Sequence, residues 1–217
     1  MFMEGLHFKA RTNPGRGISR LSPPGHLFSP DNRPTSRHDV RRVPPLYQPF
    51  FCEENIWHLA QSADVPGAER LVLVISGEQG VACWHQKAGD EGAPILWDYH
   101  VVLAARDGGA WQLWDLDGRL GYPVPAEMWL RTTFPMPDLV PARYQPRFAV
   151  IPAAEYVRTL GTDRSHMRDA HGGWLKAPPP WPAPAGHGLT LPDAVAQARQ
   201  GLDLAGLRLR IGDVSTA

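Results

Sequence analysis

Cys52, His100 and an aspartate at 115 or 117 are residue types that could do nucleophilic chemistry together. Cys52 sits in "FFCEENIWHL", where a helix is expected to begin, with Glu53 and Glu54 in a first turn whose dipole favours acids. A helix N-terminus stabilises a thiolate, so the expectation is a lowered thiol pKa. His100 lies in "ILWDYHVVLAA", read as a strand, and "AWQLWDLD" reads as the next strand. The joining "RDGG" carries an Asp-Gly step, the strongest short-range hairpin signal.

The register of that hairpin decides which acid meets the imidazole. A two-residue loop at Asp107-Gly108 places His100 opposite Asp115, whereas a loop from Asp107 to Ala110 places it opposite Asp117. Both registers keep the same parity, so an acid faces the histidine either way; a bulge would break this. An imidazole oriented by a carboxylate is a competent general base toward a thiol. The chain order Cys, His, Asp agrees with papain-like and transglutaminase-like cysteine enzymes. The plainer readings are a packed small Cys52 and a structural His–Asp pair.

The elements that must hold these residues follow from periodicity. In "CEENIWHLAQS", Ile56, Leu59 and Ala60 share one helical face. "RLVLVISG" is a buried strand, "VACWHQ" a short segment with Cys83 inside it, and "RFAVIPAAEYVRTL" a strand followed by a helix. "GYPVPAEMWL…FPMPDLVPARYQP" reads as irregular, "DRSHMRDAHGGWLKAPPPWPAP" as loop, and "LPDAVAQARQGL" as a closing helix. The mixture predicts an α+β fold, a mostly antiparallel sheet packed with helices in a papain- or transglutaminase-like arrangement. Residues 1–46 read as a Pro- and Arg-rich, disordered leader, and 47–217 as one catalytic domain.

Composition narrows the function classes. Lys and Arg balance Asp and Glu at 22 each, which argues against a general nucleic-acid or membrane binder. The charge is uneven: residues 1–43 carry eight Lys/Arg against three Asp/Glu, the remainder 14 against 19. Two cysteines give no disulfide framework and suit a reducing cytoplasm. No apolar run approaches the roughly 18–20 residues of a membrane span. His166 and His171 have only loop context, so no metal site is expected of them.

Several whole motifs, in order, resemble the protein N-terminal glutamine amidohydrolase family: "CEENIW", "ILWDYHVVL", "WDLD", "DRSHM" and the proline run "APPPWP". The similarity runs from about Tyr47 to Ala183 and fades beyond. The resemblance implies a cysteine hydrolase with a triad of Cys52, His100 and Asp115, choosing the first Asp of "DLD" where the registers left two. It implies conversion of an N-terminal glutamine to glutamate with loss of ammonia, through a thioester and without metal or cofactor. Its substrates would be proteins or peptides with a free N-terminal Gln. The chain would act as a cytoplasmic monomer, with an N-degron role where the host reads the product.

Such an enzyme must bind the substrate's α-ammonium, and Glu54 and Asp98 are the candidates. Alternation places Asp98 on the face of His100, with Trp97 and Tyr99 turned to the core. For Asp163–His166 a loop-stabilising Arg–Asp network is expected. The other classes are a transglutaminase-like acyl transferase and a non-catalytic N-terminus-binding module.

Overall fold

In the computed structural model, which describes residues 45–212, a five-stranded antiparallel sheet is covered by helices on both faces. The expected leader, residues 1–46, lies almost wholly outside the described residues. Helix α1 (Cys52–Ala60) precedes β1 (Glu69–Ser76), and β2 (Val81–Cys83) pairs with β3 (Ile95–Trp97) in a separate hairpin. β4 (His100–Arg106), β5 (Gln112–Trp114) and β6 (Val124–Pro125) follow, then α2 (Ala126–Thr133), β7 (Arg147–Pro152) and α3 (Ala153–Thr159). β8 (Leu160–Gly161) and β9 (Leu189–Thr190) form a short parallel pair flanking a long loop, before α4 (Leu191–Gln200) and α5 (Leu204–Ile211).

The main sheet runs β6-β5-β4-β1-β7. β1 is an interior strand, buried along most of its length, which is why "LVLVIS" is almost continuously apolar rather than alternating. Its Val72 and Val74 meet α1, α3 and α4, while Leu71, Leu73 and Ile75 meet α2 and α5. A fully buried side chain such as Leu73 contributes roughly 1.5–3 kcal/mol by leaving water. On the α1 face, Ile56, Leu59 and Ala60 are buried as their spacing predicts.

Three local expectations are revised. "ILWDYHVVL" is two strands: the chain bends at Asp98–Tyr99, leaving the β2–β3 hairpin to join the main sheet. The bend is fastened by Ser76, whose hydroxyl donates to the Asp98 carbonyl at 2.8 Å. The segment after Gly121 holds β6 and α2, with Pro125 before the first helical turn where a missing N–H costs nothing. α4 carries a Thr190/Asp193 capping box but does not close the fold; α5 follows, started by Asp203.

Candidate active site

The β4–β5 ladder pairs Leu103 with Trp114 and Ala105 with Gln112, so the longer loop, Asp107–Ala110, is the one that forms. The two-residue register is therefore overturned. Continued, the observed register would bring Asp117 opposite His100, yet the hydrogen bond goes elsewhere. β5 stops at Trp114 and the chain turns at once, with the Gly118 N–H donating to the Asp115 carbonyl. The Asp115 side chain then reaches diagonally, and its Oδ1 lies 2.9 Å from His100 Nε2.

Asp115 is held from every side. Oδ1 also accepts the Asp117 N–H, and Oδ2 accepts Gln86 Nε2 and Trp129 Nε1, each at 3.0 Å. Burial opposes its ionisation, but His100 and the donors from Trp129 and Gln86 outweigh it and hold the carboxyl at about 2. Burial works against the His100 cation as well, but Asp115 outweighs it and the imidazole is raised above its ordinary value. The Trp97 ring stacks on that imidazole. With Nε2 engaged, Nδ1 is free for proton exchange; it has no hydrogen-bond partner among the described residues.

Cys52 is the first residue of α1, buried against β4. The approach to the helix is clamped by Asn55, whose side chain accepts the Gln48 N–H and donates to the Gln48 carbonyl, both at 2.8 Å. The N–H of Val101, next to His100, points at Sγ. The thiol is not depressed as its helix position suggested: burial first, then Glu53 and Asp117, push it well above its ordinary value. Full desolvation and two neighbouring acids outweigh one helix dipole.

The two glutamates after Cys52 divide into different roles. Both are fully buried. Glu54, expected at the substrate ammonium, has both oxygens engaged: Arg164 binds them in a fork at 2.6 and 2.7 Å, and Trp181 Nε1 adds a bond at 2.9 Å. Arg164 also donates to the Trp181 carbonyl, so the "DRSH" and "PPPWP" segments are fastened together onto α1. The expected Arg–Asp network is thus an Arg–Glu clasp, and Asp163 instead accepts the Ser165 N–H in a local turn.

Glu53 escaped the sequence reading. Its Oε2 accepts the Tyr99 hydroxyl at 2.8 Å and lies 3.9 Å from Sγ. Its Oε1 is buried without a hydrogen bond, and His166 Nε2 approaches it to 3.4 Å. The signal available was its position one residue after Cys52. Tyr99 is half-buried and packs against the first core while its hydroxyl reaches Glu53, and Trp97 is buried in the second core. Asp98 is exposed in the bend, its carboxyl raised by partial burial against the opposing charge of Arg199.

Ligand atoms of His100, Asp115 and Asp117 come within 4.8 Å of one another. The oxygens of Asp115 already accept four donors, and Asp117 accepts the Tyr47 hydroxyl at 2.6 Å, so this donor set is committed to protein partners. Among the described residues no helix is long and apolar enough to cross a membrane.

The helix that begins with Cys52 packs on β4, the strand that opens with the His100 of the imidazole–carboxylate pair. The family model for N-terminal glutamine amidase matches residues 47–194. The protein N-terminal glutamine amidohydrolase of Homo sapiens is 34% identical over 161 residues, covering 70% of this chain and 78% of the relative. Proteins of the same name from Bos taurus (34% over 143 residues, 63% of this chain and 69% of the relative) and Arabidopsis thaliana (32% over 146, 62% and 66%) also match. The chain belongs to the N-terminal glutamine amidase family.

Proposed function

We propose that this protein hydrolyses the side-chain amide of an N-terminal glutamine, giving glutamate and ammonia, with Cys52 as nucleophile, His100 as proton carrier and Asp115 as its orienting carboxylate. The observation that carries the reading is the 2.9 Å His100–Asp115 bond at the start of β4, the strand on which α1 packs with the buried Cys52 as its first residue. Sγ attacks the amide carbon as its proton passes to His100 Nδ1, and the imidazolium returns the proton to the departing ammonia. Water then attacks the thioester with His100 as base. The Cys52 and Glu53 N–H groups donate to no partner among the described residues, as first-turn groups do, and are candidates to receive the oxyanion.

The α-ammonium is assigned to Glu53 in place of Glu54. Glu53 reaches the sulfur through Oε2 and keeps its other oxygen, Oε1, buried without a hydrogen bond, whereas Glu54 is consumed by Arg164 and Trp181. A cation on Glu53 also cancels a charge that holds the thiol neutral, so a free N-terminus prepares the nucleophile that will use it. The rest of the reading is a cytoplasmic monomer of papain- or transglutaminase-like arrangement, acting on proteins with N-terminal Gln and supplying a product that a degradation route can read.

The deciding experiment offers the purified protein two peptides, one with a free N-terminal Gln and one with that amine acetylated, with Cys52→Ala in parallel. Ammonia released from the free peptide alone, and lost in the variant, is the expected result. Equal release from both would indicate a broader amidase or acyl transferase, and none from either would overturn the assignment.

A further inference from the structure

A γ-glutamyl thioester that keeps its free α-amine faces two fates, and this inference rests on the reading above that such a thioester forms. In hydrolysis, a water oxygen bonds to the acyl carbon, the C–S bond breaks, and the water's proton passes through His100 to the sulfur. In cyclisation, the substrate's own amine nitrogen bonds to that carbon, the C–S bond breaks, and the amine proton returns to the sulfur. The second path leaves a five-membered lactam, needs no water and involves no redox change. Well-oriented intramolecular nucleophiles reach effective molarities of about 10⁵ M or more, so an unprotonated amine in position would outrun water.

The site places the amine close to the acyl carbon. Glu53 Oε2 lies 3.9 Å from Sγ, and Oε1 belongs to the same carboxylate, so an ammonium hydrogen-bonded to Oε1 stays within roughly 9 Å of the sulfur. The glutamine must curl to satisfy both ends, and a curled glutamyl thioester approaches the geometry of ring closure. Only an amine with a lone pair can close the ring. A carboxylate held against an ammonium favours its protonated form. Glu53 is built for this: fully buried, with Oε2 fixed by Tyr99 and Oε1 unpartnered. His166 Nε2, 3.4 Å from Oε1, stands where the ammonium would enter.

We propose that Glu53 decides the fate of the acyl-enzyme: by keeping the substrate's amine protonated while the thioester lives, it commits the intermediate to water and excludes the lactam. Glu53 is then a residue of product specificity as well as of binding, and Tyr99 positions its carboxylate.

The test follows both products of a Gln-initiated peptide by mass, since glutamate retains the chain with amide nitrogen exchanged for oxygen, whereas the lactam is lighter by one ammonia. Cys52→Ala measures spontaneous cyclisation, which is subtracted. Wild type should give glutamate alone, Glu53→Gln a lactam-to-glutamate ratio at least ten-fold higher, Tyr99→Phe a smaller rise, and Glu53→Asp a return toward glutamate. Should Glu53→Gln fail to fold by circular dichroism, Tyr99→Phe, which keeps the carboxylate, decides the matter. Slower turnover with glutamate as sole product in the folded variants would overturn the proposal, the effect then being one of binding. Wild type that releases no glutamate would instead overturn the underlying reading, and this proposal with it, before any variant is compared.

Discussion

The Cys52 sulfhydryl points at its own neighbour, with Sγ 3.9 Å from Glu53 Oε2, and the backbone donor it meets is Val101, one residue past His100. The thiol is therefore held between a carboxylate that disfavours its thiolate and a peptide N–H that favours it. In the free protein burial first, and then the neighbouring acids, prevail over that donor.

Removing that acid should wake the thiol. A charge at about 4 Å through an effective dielectric near 20 is worth up to about 4 kcal/mol. Glu53→Gln should therefore raise the rate of Cys52 alkylation by iodoacetamide at neutral pH at least ten-fold, read by mass spectrometry. Cys83, fully buried in the opposite core, is the internal control that stays unmodified.

The His100–Asp115 pair should leave its mark on stability against pH. His100 is raised above its ordinary value, so its contribution is complete below about 6.5 and lost as pH rises through the raised folded value. Asp115, at about 2 in the fold, contributes stability that is present above its unfolded value and lost as pH falls through about 2. The pair is one interaction, worth on the order of 2 kcal/mol between those limits. The wild-type Tm should fall on the alkaline side of neutrality, and Asp115→Asn should flatten that limb while abolishing activity.

Arg164→Ala should cost about 3–5 kcal/mol in urea unfolding, because it strands a buried Glu54 carboxylate. Arg164→Lys should recover little, since an ammonium cannot reproduce the fork. The double variant Arg164→Ala/Glu54→Gln should be more stable than Arg164→Ala alone.

Trp129→Phe keeps the ring in the core but deletes a donor to Asp115 Oδ2. Turnover should drop several-fold with KM unchanged, and the acid-side loss of stability, which Asp115 governs, should move to higher pH as the carboxyl loses a stabilising bond.

The sequence showed most of the site and less of its surroundings. Cys52 and His100 were reachable as candidates because one opens a helix and the other lies on a hairpin whose parity faces it with an acid; parity left Asp115 and Asp117 open, and the family resemblance chose Asp115. The detail of how Asp115 meets His100 was not reachable, since it depends on β5 stopping at Trp114, and strand ends are set by tertiary packing. Alternation misplaced Asp98 because it assumes an unbroken strand, and the Ser76 contact that bends the chain lies 22 positions away. α2 was hidden by its flanking prolines. Glu54 and Arg164 are 110 residues apart, and no local pattern announces a pair at that separation. Once Arg164 claims Glu54, the open acid beside the sulfur is Glu53.

The clasp between Glu54 and Arg164 also orders the making of the protein. The helix that carries the nucleophile is synthesised early, yet its Glu54 cannot be buried favourably until the guanidinium 110 residues later has been added. Docking of α1 against the sheet is thereby tied to contacts of long sequence separation, the slow kind to form. A chain interrupted before residue 164 holds the cysteine without the clasp that seats its helix, so the nucleophile is assembled only when the chain is nearly whole.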